Sequence, residues 1–265
     1  MRVRGILIVV VVFASTQVQA ETNVRLAGFG QVDESGLVID TAGFRALVGD
    51  LGQVLGHRSL GPATSSGALG FDTGIDLSVS LPDQTLDHWE QAGNTALSDL
   101  QSIQFIMQKG LPYSIQLSAT CTHLVGSELW ALGAHVKYAV LEGVAWVPDI
   151  AMRAGVNSVF GVRNLTLYIG ESDVTVSKSF GLLGVASIVP YAGYSVQYVQ
   201  ASSNVLGIFA PLSDEPLKFV IPRQHVVSHR GFVGFSMWFS HATVGFEAML
   251  TPEIQSYSIK LGASL

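Results

Sequence analysis

Charge is scarce in this chain. Only 13% of its 265 residues are Asp, Glu, Lys or Arg, about half the share usual in a soluble domain. The net charge of −6 leaves no basic surface for nucleic acid, so no such partner is expected. Cysteine is almost absent. Cys121 stands alone, which excludes an intramolecular disulfide framework. It shares the apolar phase of Ile115, Leu117 and Ala119 and reads as a small hydrophobe facing lipid or a neighbour. Long apolar runs are missing too. No internal run reaches the ~18 residues of a spanning helix, although 48% of the chain is hydrophobic and mean hydropathy is +0.41.

Chemical motifs are equally sparse. No metal-ligand spacing, phosphate loop or nucleophile elbow occurs, and Gly28-Phe29-Gly30 lacks the strand–turn–helix setting of a dinucleotide site. His225 and His229 have helical spacing beside an expected strand, so they read as no metal site. Ser240-His241 has no identifiable third partner and reads as a turn or interface pair. No catalytic residue, metal or cofactor is expected, and the chain is read as no enzyme.

What the chain has instead is alternation. From Leu69 to Leu81 the odd positions are Leu69, Phe71, Thr73, Ile75, Leu77, Val79 and Leu81. The even ones are small or acidic: Gly70, Asp72, Gly74, Asp76, Ser78 and Ser80. A usual globular strand has ~5–6 residues, whereas a tilted transmembrane strand needs ~9–11. Hydrophobicity delivered by alternation, without helical spans, is the mark of a membrane barrel.

Along the chain, Met1 to Ala20 reads as a secretory signal peptide. Arg2 and Arg4 start it, Ile6 to Ala14 is its apolar centre, and Val18-Gln19-Ala20 is the cleavage site. Residues 21–67 form an N-terminal segment. In it Phe44, Leu47, Val48, Leu51, Val54 and Leu55 recur at helical spacing, giving an amphipathic helix from Thr41 to His57. The helix is either a plug in the barrel mouth or an element resting at the membrane surface. Residues 68–265 form the barrel. Within it 83–108 is expected to be a long connection carrying a helix through Leu97, Leu100, Ile103, Gln104 and Met107.

Period two then dominates: Tyr113–Leu124, Glu128–Leu141, Asp149–Val159, Arg163–Ile169, Val174–Phe180, Ile188–Ala201, Val226–Phe239, Ala242–Leu250 and Ile254–Leu265. Ser202 to Gln224 reads as a second long loop. Gly170–Asp173 is either a tight turn, which gives ten strands, or a bulge in one long strand, which gives nine and requires one more from Val24–Val32 or Leu217–Ile221. Thr251-Pro252-Glu253 reads as a short periplasmic turn. The expected fold is an all-β, closed antiparallel transmembrane barrel of about ten strands (8–12) with an N-terminal amphipathic helix and a helical long loop.

The last strand, Tyr257-Ser258-Ile259-Lys260-Leu261-Gly262-Ala263-Ser264-Leu265, resembles the C-terminal targeting strand of bacterial outer-membrane β-barrel proteins. Leu265 departs from that pattern, which usually ends in Phe or Trp. Lys109-Gly110-Leu111-Pro112, Ser177-Lys178-Ser179-Phe180 and Pro190-Tyr191-Ala192-Gly193-Tyr194 are similar to segments of a poorly characterised, porin-like outer-membrane group. The resemblance implies a Gram-negative outer-membrane location, with outer-membrane lipids and the barrel assembly machinery as partners. It makes Tyr257, Ile259, Leu261 and Leu265 the assembly signal.

The inward phases carry Asp72, Asp76, His135, Lys137, Arg153, Glu247 and Lys260, the expected lumen lining. They form either a self-neutralising structural network or the wall of a narrow polar pore. Lys137 and Arg153 should stand nearly opposite one another, with Asp72, Asp76, Glu247 or Asp50 to compensate. The expected function is binding or passive transport of a small molecule. The alternatives are a non-transporting structural or surface-interaction barrel and, third, a lipid-modifying enzyme.

Overall fold

The computed structural model describes residues 24–33, 36–82, 87–93, 99–182, 186–209 and 216–265. The expected signal peptide, and Leu97 of the expected loop helix, lie outside the described residues.

Ten strands close into an antiparallel barrel. They are β1 (Phe71–Pro82), β2 (Leu100–Leu111), β3 (Ile115–Leu124), β4 (Trp130–Leu141) and β5 (Asp149–Phe160). There follow β6 (Leu165–Ser177), β7 (Ala186–Ser203), β8 (Gln224–Phe239), β9 (Ala242–Leu250) and β10 (Ile254–Ser264). Each pairs with its chain neighbours, and β10 pairs with β1 to close the ring. At the seam Leu265 and Phe71 exchange backbone hydrogen bonds of 2.8 and 3.0 Å. Closure leaves no unpaired edge, the condition for crossing hydrocarbon with strands.

The sheet alternates as the sequence dictates. Ile75, Phe105, Leu132, Val136, Met152, Val156, Val233 and Leu261 are exposed on the outer face. Such a wide apolar exterior suits lipid and would not suit water. Phe71, Tyr113, Trp146, Phe180 and Phe239, near the mouth where the chain ends, are exposed aromatics of the kind that gather at a membrane interface.

Two expectations need correction. Leu100, Ile103, Gln104 and Met107 lie on β2, not on a loop helix. Their spacing fits both periods, and pairing with β1 and β3 decides for the strand. The only helix described in that connection is α2, Asp87–Gln91, so the helical long loop shrinks to one short turn of helix. Second, Gly170–Asp173 is neither turn nor bulge, because β6 pairs without interruption with both β5 and β7. Ten strands result all the same, since one split strand and one missed strand cancel.

The alternation misled there for a physical reason. Leu165, Leu167 and Ile169 are buried inside the barrel, on the same face as Glu171, Thr175 and Ser177. One inward face changes from apolar to polar along its length. It does so because α1, Thr41–Leu55, fills one end of the barrel. Phe44, Leu47, Val48, Leu51, Val54 and Leu55 of α1 join one core with Leu100, Leu124, Leu165, Leu167, Ile169 and Val199. Asp40 caps α1 by accepting a 2.8 Å hydrogen bond from Gly43 N–H, which holds its carboxyl below the usual range. Gly52 allows the close approach, since a Cβ there would sit 2.4 Å from Val199 Cγ2.

Antiparallel order puts the long connections after β1 and β7 at the α1 mouth. The Thr251–Glu253 turn is at that mouth as well, opposite Leu265, together with the short connections 125–129 and 161–164.

Candidate functional site

The barrel interior is occupied by the chain's own residues. After α1 the backbone leaves the helix at Gly56, and residues 57–66 run along the lumen to the opposite mouth. His57, Arg58, Ser59, Leu60 and Ala63 are buried. The segment is held chiefly by hydrogen bonds. His57 N–H donates to Glu171 at 3.0 Å, Leu60 N–H to Glu247 at 2.9 Å and Ala63 N–H to Ser177 at 3.0 Å. Near the far mouth Ser65 donates to Glu142 through its N–H (2.8 Å) and its hydroxyl (3.0 Å). These side chains satisfy a strandless backbone that would otherwise be buried without partners.

Glu171 is the hub of the upper lumen. It accepts from Asn157 Nδ2 at 2.9 Å and Arg230 Nη2 at 2.8 Å besides His57. His135 Nδ1 stands 3.6 Å away, and its ring stacks on His57 with centroids 4.2 Å apart. One layer lower, Arg153 pairs with Asp173 at 3.0 Å and also donates to Ser59 and His57. Lys137 donates to the carbonyls of Thr64 (2.7 Å) and Pro62 (3.2 Å). Arg58 straddles the seam, donating to Ser80 on β1 (3.1 Å) and Ser258 on β10 (3.0 Å).

The residues picked out from sequence are placed as follows. Asp76, His135, Arg153, Glu247 and Lys260 are buried, and Asp72 and Lys137 are half-buried. Asp72 accepts from Ser66, and Asp76 stands opposite Lys260 in the β1–β10 register. Tyr257, Ile259 and Leu261 lie opposite Val79, Leu77 and Ile75 on the outer face. Asp50 is at the α1 mouth, bonded to His88 (2.7 Å) and Trp89 Nε1 (2.8 Å), away from Lys137 and Arg153. His225 and His229 face outward against Tyr198 and Tyr194. Ser240 and His241 share a 2.8 Å hydrogen bond on an exposed turn.

Sequence reasoning missed Glu171, Asp173, Arg230, His57 and Arg58. Glu171 was legible in part, since it continues the phase of Leu165, Leu167 and Ile169. His57 and Arg58 lie in a segment with no period, so nothing local marked them.

Two spaces remain. A void of about 40 Å³ lies between the lumen segment and the wall near Lys137 and Lys260. A cavity of about 620 Å³ opens at the α1 mouth, between α1, α2 and the barrel rim.

No family model and no curated protein matches the chain. Solved structures similar in fold include a KdgM porin in complex with disordered oligogalacturonate, at 9% identity and a TM-score of 0.35. That match covers 72% of this chain and 99% of the other. An outer-membrane channel from Pseudomonas putida F1 is 8% identical, with a TM-score of 0.39, covering 79% and 100%. Ail, the attachment invasion locus protein of Yersinia pestis, is 9% identical, with a TM-score of 0.29, covering 74% and 97%.

Proposed function

We propose that the protein is a Gram-negative outer-membrane barrel that binds a small solute and passes it only when residues 57–66 leave the lumen. One observation carries this reading. Much of the wall around that segment is polar, with Gln116, Lys137, Arg153, Asn157, Glu171 and Glu247 beside it. A wall of this kind becomes a wettable channel once the segment withdraws, whereas an apolar one would collapse or aggregate. The α1 mouth, with its two long connections, faces outward on this reading, and the opposite mouth, where the chain ends, faces the periplasm. The signal peptide delivers the chain, lipids surround it, and the assembly machinery reads its last strand.

The segment's many buried hydrogen bonds also favour a second reading, a permanently filled barrel that acts through its outer surface. Conductance in planar bilayers separates the two. The intact protein should be closed, and a variant lacking residues 24–66 should conduct. A folded variant that stays closed would establish the non-transporting barrel.

A further inference from the structure

We infer that His57 is a proton-operated latch on the lumen segment, so that acid releases residues 57–66 and opens the barrel. This rests on the gated-channel reading above and names what operates the gate. Behind it stands a hydrogen bond whose direction is fixed. Arg153 Nη1 donates to His57 Nε2, and a guanidinium has only N–H donors and keeps its charge at every ordinary pH. His57 Nε2 must therefore offer its lone pair. The latched ring is neutral, with its one proton on Nδ1.

What is packed around that ring opposes a second proton. A proton on Nε2 would set N–H against N–H and cation against cation at Arg153. The His135 ring of β4 stacks on His57, and both residues are buried. Arg230 of β8 and Lys260 of β10 also stand close enough to repel a charge there. The carboxylates of this layer, Glu171 and Asp173 of β6, are already engaged. Glu171 holds Arg230 at 2.8 Å, Asn157 of β5 and the His57 backbone N–H, and Asp173 holds Arg153 at 3.0 Å. Asp76 of β1 is opposite Lys260 in the register. Glu247 of β9, with Tyr191 of β7 beside it, is bonded further along the segment at Leu60. A buried charge without a partner is costly, so the latched state keeps His57 neutral.

Withdrawal of the segment exposes His57 to water, where an imidazole takes up a proton near pH ~6.5. The released state then binds more protons than the latched one. The latch is at full strength above that pH and weakens as pH falls below it. One proton taken up shifts the released-to-latched ratio about tenfold per pH unit. The onset lies about two units above the ordinary carboxylate range, so it precedes any acid loss of the Glu and Asp contacts. Position gives the switch leverage. His57 is the first residue of the segment after Gly56, and Arg153 donates to Ser59 as well, so one guanidinium ties down both residues. Of the 7 histidines in the chain, only His57 and His135 are buried.

The test is conductance of the full-length barrel in planar bilayers, stepped from about pH 7.5 to about pH 5, between the ordinary imidazole and carboxylate values. The intact protein should be closed at the upper end, and its open fraction should rise about tenfold per unit below pH ~6.5. His57→Gln keeps an oxygen that accepts from Arg153 but cannot titrate, and should stay closed throughout. His135→Gln leaves the Arg153–His57 bond in place and should open as the intact protein does. The intact protein gives a second measurement that needs no variant. Nitrogen NMR of its labelled imidazoles near neutral pH should show His57 neutral with the proton on Nδ1. An intact barrel that stays closed in acid, an equally steep opening in His57→Gln, a response lost in His135→Gln, or His57 protonated on Nε2 in the closed state would overturn the latch. The variant lacking residues 24–66 has no latch and should conduct at both ends of the range. Its failure to conduct rejects the gated-channel reading, whereas its conduction beside an intact barrel without a pH response rejects only the latch.

Discussion

Lys137 on β4 and Arg153 on β5 are direct cross-strand partners, two cations facing each other in the lumen. Like charges so placed repel unless something compensates. Arg153 is answered by Asp173, its register partner on the other side. Lys137 is answered by the carbonyls of Pro62 and Thr64. The repulsion is therefore relieved in part by the lumen segment itself, which ties that segment to the wall.

The two positions should respond differently to truncation. Arg153→Ala leaves the half-buried Asp173 without its cation, a change whose upper bound is the ~3–5 kcal/mol of a fully buried pair. Lys137→Ala removes the repulsion together with two hydrogen bonds to neutral carbonyls, and should cost less. Thermal melts of the folded barrel should therefore rank Arg153→Ala well below Lys137→Ala. The reverse order would mean that the lumen segment, and not Asp173, carries the stabilisation.

Glu142 should give the far anchor an acid-sensitive component. Partial burial pushes its carboxyl up, but hydrogen bonds from Ser114 and Ser65 outweigh this and set it below the usual range. A carboxyl lowered on folding contributes stability that is present above its unfolded value and lost as pH falls through the folded one. Melting temperature should thus fall below about pH 4, and Glu142→Gln should remove part of that fall. An identical acid profile in both proteins would show that the anchor does not titrate.

Arg58 couples the lumen segment to closure, because it bridges the first and last strands through Ser80 and Ser258. Arg58→Ala should reduce the yield of heat-modifiable, folded barrel in refolding from urea. Arg58→Lys should rescue it only in part, since one ammonium replaces a two-pronged fork. Equal yields for all three proteins would remove Arg58 from closure.

On the outer face, Ile75 is exposed and stands between Leu261 and Phe105. Ile75→Arg should destabilise by ~2–4 kcal/mol if it sits near the bilayer midplane. Folding titrations in lipid vesicles check this, and a silent substitution would invert the assigned phase.

Deletion of Leu261 to Leu265 removes the backbone bonds to Phe71 and half-opens the seam. An unpaired edge in lipid is costly, so outer-membrane assembly should stop. Normal insertion of the shortened chain would place the assembly signal elsewhere.

The sequence by itself determined the exterior. Lipid imposes one requirement at every outward position, so Phe71, Ile75, Leu132, Val136, Met152 and Val156 repeat with period two and announce the barrel. The helix was legible too, since Phe44, Leu47, Val48, Leu51, Val54 and Leu55 keep one apolar stripe at helical spacing. The interior has no such uniform solvent. Leu167 meets α1, while Glu171, on the same face of the same strand, meets His57 and Arg230. What each inward residue faces depends on a segment distant in sequence, which has no period of its own because it makes neither helix nor strand. Hence the continuity of β6, the conversion of Leu100–Leu111 to strand, the hub at Glu171 and the filling of the lumen were decided only when the chain closed around residues 57–66.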